Sequence, residues 1–202
     1  MERELETIRL YYDDPYMKEF DAVVLNCIPD GKRYRIKLNR TAFYPEGGGQ
    51  PCDLGRLGSE PVLDVQEENG IIYHTVAHSL TVTAPVVGRI DWARRFDHMQ
   101  QHSGEHIVSG MLCKAYHCDN VGFHMGADVV TIDYNADIPW EGVLEIERRA
   151  NRYIQENHTP HIWWPPQEDL EDLPYAARRR WRAPGGLPNS PARTCAPAAA
   201  PM

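Results

Sequence analysis

The runs TIRLYY, DAVVLNCI, RYRIKLN, PVLDVQ, GIIYHTV and VVGRIDW follow one another from residue 5 to about 91. Each is too short for a stable helix, and each is closed by turn formers such as DDP, PDGK, PEGGGQP or EENG. A run of that length buries its apolar side chains only by pairing with others, and its β-branched residues favour the pleated backbone. The spacing predicts an all-β unit over residues 1–91, a small barrel or closed sheet.

After Trp92 the texture changes. Residues 93–116 carry Phe96, Met99, Ile107, Met111, Leu112 and Ala115 near helical spacing. Gly104 and Gly110 interrupt that pattern, each at a cost of about 1 kcal/mol against alanine, which invites a packing or site explanation. VGFHMGADVVTIDYN (121–135) reads as strand, turn and strand, with Val129, Thr131 and Asp133 on one side and Val130, Ile132 and Tyr134 on the other. A second helix is predicted over 140–156, its stripe formed by Val143, Leu144, Ile146, Ala150, Tyr153 and Ile154. HIWWP resembles a short strand and PPQEDLEDLPY a brief helical turn. Helices and strands without regular βαβ alternation make residues 92–175 an α+β domain, so the whole chain is expected to be α+β, a small N-terminal β-barrel followed by a domain with a histidine-bearing helix.

Residues 176–202 hold eight alanines, five prolines and five arginines, with no acidic residue and no periodic apolar face. That composition predicts a disordered tail. The net charge of −8 thus hides a body, residues 1–175, at −13 from 16 basic and 29 acidic side chains. An acidic body has no general attraction for nucleic-acid phosphates, so any such contact is local. Arg89, Arg94 and Arg95, at the barrel-to-helix junction, fit both a phosphate contact and, more readily for any one of them, a solvated helix start. The start MERELETIRL is charged where a secretory signal is apolar, and no segment approaches the ~20 apolar residues of a membrane span. Five scattered cysteines, an odd number, suit free thiols in a reducing compartment. A cytoplasmic chain with no membrane partner is expected.

FDHMQQHSGEHIVSG (96–110) sets His98, His102 and His106 at four-residue steps. At ~1.5 Å rise per residue, the outer two are ~12 Å apart along the axis, so one zinc ion can be held by 98/102 or by 102/106 but not by all three. Ser103 and Gly104 leave room for a close approach beside the second pair, which favours His102 and His106. HSGEH is also H-x-x-E-H, the pattern of an inverted zinc peptidase with Glu105 as general base. TAFYPEGGGQPCDLG (41–55) places three glycines in a row, the residue type for positive φ or close backbone approach. It has neither P-loop spacing nor a dinucleotide fingerprint, which excludes a nucleotide triphosphate site. A plain hairpin turn and a substrate-facing loop built from Gly47, Gly48, Gly49 and Gln50 both fit.

Taken in order, TAFYPEGGGQPCDLG, RRFDHMQQHSGEHIVSGML and VGFHMGADVVTID resemble the alanyl-tRNA editing proteins of the AlaX type, freestanding relatives of the editing domain of alanyl-tRNA synthetase. The resemblance covers roughly residues 5–175. It implies zinc held by His102 and His106, a substrate-facing loop at Gly47, Gly48, Gly49 and Gln50, and the acceptor end of tRNA(Ala) as partner; His124, in GFHMG, fits both a place lining the same cleft and a strand histidine bonded to backbone. The implied reaction is hydrolysis of the ester joining serine or glycine to mischarged tRNA(Ala). Ligating imidazoles are neutral and need an orienting acceptor, for which Glu105, Asp97 and Gln101 are available.

The family's C-x-x-x-H pair, which completes its zinc tetrahedron, has no counterpart: after Pro174 only Cys195 is a ligand type, and no histidine follows His161. One codon choice for ARTCAPAAAPM, read from its third base, gives A-D-L-C-A-C-C-G-T-H, which contains the missing pair. A single-nucleotide slip just after Tyr175 is therefore the expected cause, and the DNA across codons 170–202 tests it. With two of four ligands the chain should bind zinc poorly and deacylate weakly. The rival readings are a zinc peptidase taking a third ligand from Glu141, Glu145 or Glu147, and a non-catalytic tRNA-binding module.

Overall fold

The computed structural model describes residues 6–159. Contacts divide the chain into two compact units, with the division between Gln100 and Gln101.

The first unit contains β1 (Ile8–Arg9), a 3-10 turn (Leu10–Tyr12), β2 (Glu19–Asp30), β3 (Arg33–Leu38), β4 (Arg40–Thr41), β5 (Gly55–Leu57), β6 (Glu60–Glu68), β7 (Ile71–Val76) and β8 (Pro85–Ile90). Six strands pair antiparallel in the order β2-β3-β7-β6-β5-β8, and β8 pairs again with β2, so the ladder returns to its first strand. β1 and β4 make a separate short parallel pair. Strand alternation buries one set of side chains: Val24, Ile36, Leu38, Leu57, Val65, Ile72 and Val76 surround Phe43 and are almost wholly removed from water.

Two details depart from the sequence pattern. TIRLYY is extended for only two residues before it tightens into the 3-10 turn, which turns Tyr11 edge-on to Tyr12 and Tyr44, centroids 4.8 and 5.3 Å away. β5 joins β6 to β8 and so closes the ladder, yet its three residues carry no periodic signal.

α1 (Trp92–Tyr116) crosses the division between the units. The change of texture lies at 91/92 and the division at 100/101 because the first turns of α1 are tied to the sheet through Arg95, as described below. The second unit continues with β9 (Asn120–Met125), β10 (Val130–Tyr134) and α2 (Trp140–Gln155). Its helix α2 buries Ile146 and Ala150 from the predicted stripe. Gly142 leaves room for the Tyr116 hydroxyl, which would have to move aside for a Cβ there. Gly104 and Gly110 are different: no atom beyond the helix backbone lies within 4 Å of a Cβ built on either, so packing does not account for them.

β9 and β10 form an antiparallel ribbon with a bulge: Asp133 faces Gly122 and Tyr134 faces Asn120, leaving Val121 unmatched. Among the described residues no helix is long and apolar enough to cross a membrane. The HIWWP strand, the PPQEDLEDLPY turn, the 176–202 tail and Cys195 lie outside the described residues.

Candidate metal centre

In the first unit, the 41–55 segment is held by one buried ion pair. Asp53 accepts the Tyr44 amide at 2.6 Å and Arg95 Nε at 2.8 and 2.9 Å, and Arg95 Nη2 also donates to Asp53 and to the Ala42 carbonyl. Arg95 Nη1 reaches the Pro15 carbonyl at 3.0 Å. The two side chains are 0% and 3% exposed, so Arg95 anchors the start of α1 and is not available to a phosphate. Arg89, by contrast, is exposed and paired with Glu19 at 2.6 Å. Arg94 Nε donates to the Cys52 carbonyl at 3.3 Å.

The tip of that segment is a tight hairpin. Gly47 and Gln50 exchange both backbone hydrogen bonds at 3.1 Å. The two residues between them, Gly48 and Gly49, have φ of 62° and 81°, the sign a two-residue type I′ turn requires. The turn conformation alone thus accounts for two of the three glycines. Gln50 is buried.

The second unit gathers three ligand-type side chains on one face of α1. Positions 102, 105 and 106 are i, i+3 and i+4, neighbours on a helix surface. The donor atoms of His102, Glu105 and His106 lie within 4.8 Å of one another, the one such cluster among the described residues. The His102 and His106 rings stack with centroids 4.9 Å apart, and Phe123 sits 5.2 Å from His102. Burial lowers the pKa of His102, and the neighbouring His106 adds to the effect, so this ring is held neutral, as a ligand must be. His98 is buried one turn earlier, with Nδ1 lacking a hydrogen-bond partner, and is not part of the cluster.

Glu105 is nearly enclosed, 3% exposed, whereas His106 is 45% exposed. Its Oε1 accepts Ser109 Oγ at 2.5 Å and Asn120 Nδ2 at 2.7 Å; its Oε2 lies 3.1 Å from His106 Nδ1. Because the Ser109 proton goes to Glu105, the Tyr134 hydroxyl, 2.8 Å from Ser109, is the donor in that bond. Burial pushes the Tyr134 phenol up to about 12, which keeps it protonated for this role. Of the three acceptors available to orient the imidazoles, Glu105 is buried, with Oε2 3.1 Å from His106 Nδ1, whereas Asp97 and Gln101 are exposed.

His124 is exposed and stands next to Phe123 on the pleat, so it faces away from the α1 side that Phe123 touches. Glu145 is paired with Arg148 at 2.7 Å, and neither it, Glu141 nor Glu147 joins the cluster. Asn120, Ser109 and Tyr134 carry no motif of their own. The readable signal is the inward side of β10 that holds Ile132 and Tyr134.

The family described as tRNA synthetases class II (A) matches residues 15–94. The chain is 41% identical over 177 residues to an alanine–tRNA ligase of Pyrococcus furiosus, covering 83% of this chain and 19% of the ligase. It is 36% identical over 180 residues to the alanyl-tRNA editing protein AlaX-M of Methanosarcina mazei, covering 82% of this chain and 70% of that protein. With AlaX-L of Pyrococcus horikoshii the identity is 37% over 155 residues, 72% of this chain and 38% of the relative. The chain therefore spans about a fifth of the length of the ligases it matches.

Proposed function

The chain belongs to the AlaX-type family of alanyl-tRNA editing proteins, and from that premise we propose that it hydrolyses the ester of tRNA(Ala) mischarged with serine or glycine, in a zinc-dependent reaction. The observation that carries the proposal is the convergence of His102, Glu105 and His106 on one helix face. The donor set suits zinc: two imidazoles, one of them held neutral by burial, with a carboxylate oxygen 3.1 Å from the other. Bound there, the ion supplies polarisation of a water or of the ester carbonyl.

The ester is already activated, so the side chains are needed chiefly to position and orient. Glu105 Oε2 stands 3.1 Å from His106 Nδ1 and sets a negative charge beside that ring. Phe123 limits how the His102 ring can turn. The roles of Gly47, Gly48, Gly49 and Gln50 in substrate binding rest on the family resemblance. The returning ladder supports reading the first unit as the small barrel that precedes an editing domain. In the absence of a C-x-x-x-H pair, zinc affinity and turnover are weaker than a complete ligand set gives.

The peptidase alternative is disfavoured by Glu105 itself. A general base needs an oxygen open to water, and here Oε1 has two donors while Oε2 faces His106. The deciding experiment offers purified chain Ser-tRNA(Ala), a casein substrate and a metal chelator. Slow deacylation that zinc stimulates and the chelator stops is the expected result. Peptide cleavage would transfer the chain to the rival class, and tRNA binding without deacylation at any zinc level would leave a binding module.

A further inference from the structure

We infer that Glu105 is itself a metal ligand: its Oε2 joins His102 and His106, so that α1 alone supplies three donors to one zinc ion. The inference rests on the metal reading above and gives the carboxylate a direct role, in place of orienting an imidazole or activating a water.

Glu105 is a buried carboxylate that lacks a fixed cation. A carboxylate withdrawn from water is costly unless it is paired with a charge or bound to a metal. Asp53, in the first unit, has the guanidinium of Arg95. Glu105, 3% exposed, has neutral donors instead: Ser109 Oγ at 2.5 Å and Asn120 Nδ2 at 2.7 Å, both on Oε1. Among the described residues no lysine or arginine pairs with it, and no donor bonds to Oε2. That oxygen stands 3.1 Å from His106 Nδ1 without the alignment of a hydrogen bond. One side of the carboxylate is thus held, and the other is left for a cation.

The spacing suits ligands of a common ion. Zinc bonds of ~2.0–2.1 Å at tetrahedral angles set two ligand atoms about 3.4 Å apart. Oε2 and Nδ1 are near that distance, and one donor atom from each of the three residues lies within 4.8 Å of the others. Three protein ligands are the complement of a catalytic zinc site, whereas a structural one has four. A set carried by one helix does not wait on a C-x-x-x-H pair. Ser109 and Asn120 hold Oε1 and so fix the turn of the carboxyl group, the part that hydrogen-bonding groups play behind a ligating carboxylate. Asn120 reaches it because of the bulge at Val121: on a regular pleat it would share a side with Gly122 and His124, opposite Phe123. With the extra residue, Asn120 meets Glu105 while Phe123 meets His102.

The test adds zinc alone to the full chain, isotope-labelled at its glutamate carboxylates, and reads the infrared difference spectrum. Zinc should shift one labelled carboxylate, widening the gap between its antisymmetric and symmetric stretches as coordination through one oxygen does. The shift should be missing in Glu105→Gln, whose zinc affinity should fall more than about a hundredfold, beyond the loss that an outer supporting group causes. Ser109→Ala, which leaves Oε2 in place, should keep the shift and lose about tenfold in affinity. Glu105→Asp carries no label at that position and identifies the band if Glu105→Gln does not fold. Saturation of the wild-type chain with no shifted glutamate band, or a shift that persists when Glu105 is replaced, would overturn the inference while leaving His102 and His106 as the metal site. No zinc uptake by the wild-type chain would overturn the metal reading, and this inference with it.

Discussion

Asp53 and Glu105 are both carboxylates buried from water, one in each unit, and their surroundings differ in one respect. Asp53 is closed on all sides: a guanidinium and a backbone amide take its oxygens, and Arg95 spends its other donors on the Ala42 and Pro15 carbonyls. Glu105 is closed on one side, by neutral donors, and on the other faces a histidine that is 45% exposed. A buried charge whose partners are exhausted holds a fold together. One that keeps an oxygen for a solvent-facing imidazole has been left able to act on a ligand.

Breaking the closed site should cost the most. Arg95→Met strands Asp53 without its counter-ion, and a loss of about 3–5 kcal/mol in urea unfolding is expected. A loss below about 1 kcal/mol would mean the pair does not anchor the first unit.

A second closed group, His74, sharpens the contrast through pH. It is fully buried; Nδ1 donates to the Ile36 carbonyl at 3.1 Å, so Nε2 accepts the Thr41 hydroxyl at 2.8 Å, which fixes the neutral ring. Burial lowers its pKa from 6.5 to about 4. The unfolded chain therefore binds the proton first, and the stability present above 6.5 is lost progressively as the pH falls through about 4. The full effect is about 3 kcal/mol at 1.36 kcal/mol per unit. Urea unfolding across that window should show it, and His74→Asn should flatten it.

The open site should respond in binding more than in stability. Glu105→Gln places an amide where Ser109 and Asn120 both offer protons. About 1–2 kcal/mol of stability should go, whereas zinc affinity should fall tenfold or more. Equal zinc affinity with a large stability loss would make Glu105 another Asp53. The smallest effect is expected at Gly104, between His102 and Glu105, where the space beside a Cβ is empty. Gly104→Ala should add up to about 1 kcal/mol of helix stability. If it also slows deacylation while Gly110→Ala does not, the glycine serves substrate approach.

The open site was partly legible in the sequence because its ligands share one element: i, i+3, i+4 spacing fixes their proximity whatever the tertiary structure does. Its supports were not. Asn120 reaches Glu105 only because a bulge at Val121 reverses the pleat, and no residue there signals an extra register step. The closed site was misread for a similar reason. Arg95 follows Arg94 in a basic pair suited to phosphate, and its partner Asp53 lies 42 positions away. Strands such as β2 and β7 announced themselves as apolar or alternating runs, whereas β5, three residues long and essential to closing the ladder, fell inside an apparent loop. The glycine run read equally well as turn or site, and the positive φ at Gly48 and Gly49 gives the turn a sufficient cause.

The most direct measurement is an equilibrium zinc titration of the full chain beside its His102→Ala and His106→Ala variants, followed by dialysis. Saturable uptake of one ion by the wild-type chain, removed by dialysis and abolished in both variants, is the predicted result. Uptake that is the same in all three proteins would contradict it, because the stacked imidazoles of α1 would then hold nothing.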